Sequence, residues 1–385
     1  MSEEKKRNPV LRVLAFLVTL ALVLGGVFLV ANWQKLNFDA VKRYFTYRSL
    51  LKSETGQAES FPYDAGTNPT FACLGEDLLV CSGTGVRLYS SSGTLYVEQT
   101  TPLEHPVIQS AEKAGLVYDA GGTSLFVCAD RSLAFSLIGG DTILSASLNA
   151  QGLLTVVTQA SGLKAAVTVY GADYQPTLRI NLSSRFVTGA ALSPNGRTLA
   201  LSTAGLTGGI YDSQIAFYST DRSAERSEPD AVCSLGNVTV LKLSWGADPL
   251  RVLGDSALYL VHSDGSLAGT YSYAGRYLKG YSLEGDAFST LLLGKYRAGS
   301  SADLVLVDAA GQEHASLTLD RQLLSLSAAG HYFSALTADA LTIYTQDLSV
   351  YHTLSETLGA RTVLQKSDGS AVLIDGETAR LYLPD

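Results

Sequence analysis

With 385 residues, 46% of them hydrophobic and 17% charged, the chain has the composition of a folded protein, which excludes a disordered or low-complexity one. Thirty-six glycines and 20 tyrosines beside a single methionine favour turns and strands over helices. A formal net charge of −8 argues against a nucleic-acid partner, because such proteins need a basic surface to neutralise phosphates.

The charge is unevenly spread. Residues 1–52 carry nine Lys or Arg against Glu3, Glu4 and Asp39, a net of +6, which leaves 19 basic and 33 acidic residues, net −14, for the rest. A basic end suits an anionic lipid surface, and an acidic body is repelled from one.

The first element in chain order is the run VLAFLVTLALVLGGVFLVA at 13–31, in which Thr19 is the one clearly polar side chain. At 1.5 Å per residue it reaches across a hydrocarbon core of roughly 30 Å. It is longer than the apolar part of a cleaved signal, and the residues after it, Asn32 and Trp33, form no small-residue cleavage site. The run predicts an uncleaved transmembrane helix, with a buried soluble helix as the alternative. Lysines and arginines flank it almost equally, so orientation rests on size: a large domain after an N-terminal signal anchor usually translocates. The expectation is a single-pass cell-membrane protein with residues 1–12 as a cytoplasmic tail and the body extracytoplasmic.

Residues 32–60 read as a juxtamembrane helix and linker. Leu36, Ala40, Val41, Tyr44, Phe45 and Leu51 recur at helical spacing among Lys42, Arg43 and Arg48, so the helix is amphipathic. It either connects anchor to domain or lies on a surface. Residues 53–60 are polar and read as a short linker.

From residue 61 to 385 two patterns repeat. The first alternates apolar residues and starts at Val86, Leu125, Val167, Ile215, Leu258, Leu304, Leu341 and Arg380, a mean spacing of about 42 residues, the length of one four-stranded propeller blade. The second is strand, glycine turn, strand, clearest around Ser193-Pro194-Asn195-Gly196-Arg197, with cognates near Gly152, Gly330 and Gly369. Each blade thus reads A strand, turn, B strand, loop, C strand, turn, D strand. Eight C strands predict an all-β, eight-bladed β-propeller, with seven blades as the alternative because the stretch 221–230 is long and irregular. The last blade lacks a D strand, and a segment near 59–64 is positioned to supply it and remove the open edge.

These hairpins resemble those of WD40-like and quinoprotein-like propellers, whose turns carry a similar Ser-Pro-Asp-Gly-Lys step. The Trp-Asp dipeptide of WD40 repeats and the tryptophan-docking signature of quinoproteins are missing. With the apolar run included, the chain resembles a family of uncharacterised, single-pass, membrane-anchored propellers of Gram-positive bacteria, a resemblance that implies no activity.

No catalytic constellation is legible. His105, His262, His314, His331 and His352 are scattered along the repeats, none at metal-ligand spacing, and there is no Gly-x-Ser-x-Gly elbow and no P-loop. No cofactor, metal or catalytic residue is therefore expected. Of the four cysteines, Cys73 and Cys81 fall on adjoining strands, where a diagonal bridge or two buried thiols are both compatible with the spacing.

The B-to-C and D-to-A connections of a propeller share one end, which usually holds the ligand. Long connections at 203–213, 271–281 and 294–303 place Tyr211, Tyr273, Arg276, Tyr277, Lys295, Tyr296 and Arg297 on one rim. Tyr and Arg carry recognition energy through large area and strong donors, although ordinary strand tyrosines would produce the same pattern. The function expected is a non-enzymatic binding scaffold or sensor for a protein, peptide or cell-wall glycan. The alternatives are an extracytoplasmic enzyme with a site in the channel and a purely structural membrane organiser.

Overall fold

The structure, a computed structural model, describes residues 14, 16–20, 23, 38–221 and 228–384. It divides into two units, Met1–Ser49 and Leu50–Asp385. In the first, residues 14, 16–20 and 23 are helical. The rest of the apolar run expected to span a membrane lies outside the described residues, and no described helix is long and apolar enough to cross one. A second helix, Phe38–Tyr47, occupies the stretch expected to be amphipathic.

The second unit is all β. Thirty-two strands among the described residues form eight four-stranded antiparallel sheets, so the alternative of seven blades falls. Every repeat start in the sequence lies in the third strand of its sheet: Gly85–Tyr89, Ser124–Ala129, Ala165–Tyr170, Ile210–Ser219, Ala257–Val261, Ala302–Asp308, Leu341–Thr345 and Thr378–Tyr382. The middle strands are largely buried because neighbouring blades cover both their faces. Asp77–Ser82 and Phe288–Gly294 are buried throughout, whereas the outer strand Glu313–Leu319 is mostly exposed.

Between blades the core is a series of seams. Leu79 and Leu88 of blade 1 pack with Val117 and Phe126 of blade 2, and Leu253 and Leu258 of blade 5 with Leu291 and Leu293 of blade 6. Side chains of one inner strand also bond the backbone of the next. Gln109 Nε2 donates to the Leu148 carbonyl, Asn149 Nδ2 to that of Ser193 and Ser244 Oγ to that of Leu283. Ser282 Oγ accepts from Ala328 N–H, and Ser327 Oγ from Gln365 N–H.

The eighth blade is completed by the other end of the chain. Phe61–Pro62 pairs antiparallel with Thr378–Tyr382, Phe61 opposite Ala379, as the missing D strand requires. Residues 53–60, read from the sequence as a linker, hold to the same blade. Ala58 N–H donates to the Leu381 carbonyl and Leu383 N–H to the Gly56 carbonyl, both at 2.8 Å. This stretch stands where the other blades carry their C-to-D turn. Gly93, in the C-to-D turn of blade 1, has φ +85°, and a Cβ there would lie 2.5 Å from that of Phe61, so both the turn and the closing strand beside it require glycine.

The bridge between Cys73 and Cys81 does not form. Cys73 faces Leu78 and Cys81 is opposite Thr70, three ladder steps apart or about 10 Å, and all four cysteines are free. Burial pushes the Cys81 thiol up to about 12 and that of Cys128 up to about 11, so neither forms a reactive thiolate near neutral pH.

Phe61 is 7% exposed and lies 6.1 Å from the Tyr89 ring. Phe61→Ala should cost about 3–5 kcal/mol of unfolding free energy, the range for a buried Phe. Leu206→Ala, at a position 72% exposed, should stay within about 0.5 kcal/mol. Urea unfolding of the two variants checks this. Equal midpoints would mean that the closing strand does not hold the ring.

Candidate functional site

Antiparallel order puts the B-to-C and D-to-A connections of all eight blades at one end of the propeller and the A-to-B and C-to-D turns at the other. In blade 4 the connection expected as a loop is a projecting ribbon. Thr198–Thr207 and Ile210–Ser219 pair without a break to Thr207 opposite Ile210, whereas the inner strand stops at Phe186 opposite Ala204 and the outer at Gly236 opposite Ser213. Gly208 and Gly209, at φ +61° and +83°, make the two-residue turn; both positions need positive φ in a type I′ hairpin. Leu206, Ile210 and, to a smaller degree, Tyr211 are exposed near its tip.

A buried carboxylate fixes the base of this ribbon. Asp212 accepts from Ser234 Oγ at 2.8 Å, Thr207 Oγ1 at 2.9 Å and Gln214 Nε2 at 2.5 Å, with Arg185 Nη2 3.5 Å away. Arg185 also donates through Nε to Thr203 Oγ1 at 3.0 Å and through Nη2 to the Asp212 carbonyl. Burial opposes the charge on Asp212, but the three donors and then Arg185 outweigh it and hold the carboxyl below its ordinary 3.8. Sequence reading missed this cluster, because its members come from three strands and a D-to-A connection with no common spacing.

The rim residues of blades 5 and 6 divide into two groups. Tyr273 is not on the rim. It is 1% exposed, its ring lies in the seam of blades 5 and 6, and its hydroxyl donates to the Gly254 carbonyl at 3.1 Å. Burial raises its pKa far above the usual phenol value. Arg276 is committed to the frame. Nη2 donates to the Tyr271 hydroxyl at 2.7 Å, Nη1 to Asp303 at 3.3 Å and Nε to the Tyr273 carbonyl at 3.1 Å. Tyr271 in turn donates to Glu313 at 2.6 Å, and Thr318 to Asp303 at 2.8 Å.

The remaining four residues do come together. Tyr277 opens the innermost strand of blade 6 (Tyr277–Ser282), and the exposed turn 295–301 rises beside it. The Arg297 guanidinium lies 5.6 Å from the centre of the Tyr277 ring, and the Lys295 ammonium 5.6 Å from that of Tyr296. Lys279 Nζ donates to the Gly299 carbonyl at 2.5 Å and steadies the turn. Neither Lys295 nor Arg297 pairs with a carboxylate among the described residues. Tyr211 belongs to the ribbon two blades away, its hydroxyl 3.3 Å from Ser213 Oγ.

Of the histidines, His262 sits 2.6 Å from Asp248, His331 lies 3.7 Å from Asp286, and His352 bonds the Tyr382 hydroxyl. Among the described residues no group of three or more His, Cys, Asp or Glu side chains could hold a metal ion.

Eight four-stranded blades, the last closed by the strand Phe61–Pro62, define the fold as an eight-bladed β-propeller. The chain belongs to DUF5711, a family of unknown function whose model matches residues 46–347. No curated protein matches its sequence. Among solved structures it is similar to the C-terminal WD40 domain of Sif2, with a TM-score of 0.58 at 12% identity over 86% of this chain and 99% of that one. It is also similar to a eukaryotic initiation factor, with a TM-score of 0.53 at 12% identity over 82% and 84%. At this identity the likeness concerns the fold alone.

Two predictions separate frame from rim. Arg276→Ala should lower stability by about 2 kcal/mol, because it strips charged donors from partly buried acceptors, whereas Arg297→Ala should stay within about 0.5 kcal/mol. Denaturant melts of both variants decide it. Because the pKa of Asp212 is depressed on folding, its stabilisation is complete above the unfolded value and is lost as pH falls through the folded one. The gap in urea midpoint between the parent chain and Asp212→Asn should therefore be widest at neutral pH and shrink below about pH 4. A pH-independent gap would show that charge at this carboxyl is not what fixes the ribbon.

Proposed function

We propose that this protein is a membrane-anchored, extracytoplasmic propeller that binds a protein, peptide or cell-wall ligand without chemistry, through the blade 6 rim. One observation carries the reading: two cations, Lys295 and Arg297, are laid on the exposed rings of Tyr296 and Tyr277 without carboxylate partners among the described residues. Against a body of net −14, cations left unneutralised are a directional signal for an anionic or carbonyl-rich ligand. Stacking holds each head group over a ring and lowers the entropy lost on binding.

The path of the chain supports the same reading. It joins the propeller at blade 8, on the end that carries the C-to-D turns. The blade 6 rim belongs to the opposite end, clear of the point of attachment. The apolar run at 13–31 and the large domain that follows it support an uncleaved anchor with the propeller outside.

Crosslinking followed by affinity capture from cells, comparing the parent chain with Lys295→Ala/Arg297→Ala, tests the binding reading. The double variant should lose about 2 kcal/mol or more of partner affinity with an unchanged melt. Equal capture of the same partner would overturn the assignment to this rim. Protease added outside wall-free cells should degrade the propeller, and full protection would overturn the topology.

A further inference from the structure

The helix Phe38–Tyr47 leaves its apolar side open. Phe38 is 46% exposed, Val41 54%, Tyr44 68% and Phe45 63%. At 100° per residue these four fall within an arc of about 120°, and the Tyr44 and Phe45 rings meet edge-on at 5.6 Å. Single exposed apolar side chains are ordinary on protein surfaces; a contiguous aromatic patch covering one side of a helix marks an interaction surface.

The charges beside the patch identify what it fits. Residues 32–52 carry Lys35, Lys42, Arg43, Arg48 and Lys52 against Asp39, a net of +4, and Lys42 and Arg48 are exposed. In a symmetric pair of copies these cations would be brought toward their own counterparts, a repulsive arrangement for an isologous contact. An anionic bilayer suits every part of the pattern. Aromatic rings settle between headgroups and acyl chains, while Lys and Arg extend along the apolar surface to reach phosphates. We propose that this helix is an interfacial membrane helix that lays Val41, Tyr44 and Phe45 into an anionic lipid surface, with Lys42 and Arg48 on the headgroups. The propeller, net −14 from residue 53 onward, is repelled by that surface.

The test uses the full chain, one copy per nanodisc, with discs of phosphatidylcholine alone or of about three parts phosphatidylcholine to one of phosphatidylglycerol. Single variants Val41→Cys and Phe45→Cys are labelled with a membrane-impermeant maleimide, and Glu59→Cys, at an exposed position of the propeller unit, is the reference. The parent chain, with Cys81, Cys128 and Cys233 buried and Cys73 partly so, supplies the background. On the anionic discs both helix thiols should react at least about tenfold more slowly than the reference, and adding Lys42→Glu/Arg48→Glu should restore most of the rate. Equal labelling of helix and reference on anionic discs overturns the proposal. So does protection that is missing on discs but appears without lipid and grows with protein concentration, which would assign the face to a second copy. Neither result bears on ligand capture by the blade 6 rim.

Discussion

The propeller depends on a two-residue ladder between chain ends, Phe61–Pro62 against Thr378–Tyr382. In the other seven sheets each strand pairs with its neighbours in sequence, so those blades form from local hairpins. A ring has to be closed once by a distant pairing, and the entropy of that closure grows slowly with the length of chain enclosed. Two ladder positions alone would hold it weakly. The joint is reinforced by the Tyr63 hydroxyl donating to the Asp375 carbonyl at 2.8 Å, by Arg87 bridging to Asp64 at 2.7 Å, and by the Tyr63 and Phe71 rings edge-on at 5.2 Å. Closure also covers the edge of the last blade, which would otherwise offer unpaired backbone to another chain.

Around the ring, adhesion between blades comes from apolar seams, and alignment comes from polar bonds between inner strands. The most concentrated example is Arg251, 7% exposed, which donates to the carbonyls of Leu283, Gly285 and Asp286. Burial lowers its pKa, yet it remains charged at any physiological pH. A buried guanidinium satisfied by three backbone acceptors locks blade 5 to the A-to-B turn of blade 6, at the end opposite the rim.

That frame explains why side chains of the same type differ so much in role. Arg276 and Arg297 lie in neighbouring connections of one end, but the first is spent on Tyr271, Asp303 and a backbone carbonyl, and the second rests on a ring. Recognition needs donors that remain available when the domain is folded. The same distinction holds on blade 4, where Asp212 is consumed in stiffening a ribbon whose apolar tip stays exposed.

The repeat period and the alternation of apolar residues located every C strand and pointed to eight blades, with seven left for the sheets themselves to exclude, because both signals follow from local chain geometry: side chains alternate along a strand, and each blade spends a similar length of chain. The missing eighth D strand was legible by the same logic, since a ring cannot leave one sheet short. Tertiary structure decided the rest. Tyr273 and Tyr277 look equivalent in sequence, but a strand end turned into the seam buries the first and exposes the second. The spacing of Cys73 and Cys81 allowed a bridge that ladder register then separated by three steps. The partners of Arg276 and Asp212 lie 2 to 27 residues away at unrelated spacings on neighbouring strands and connections, and contacts of that kind leave no periodic trace because they are set by how strands and connections dock, not by how each strand is patterned.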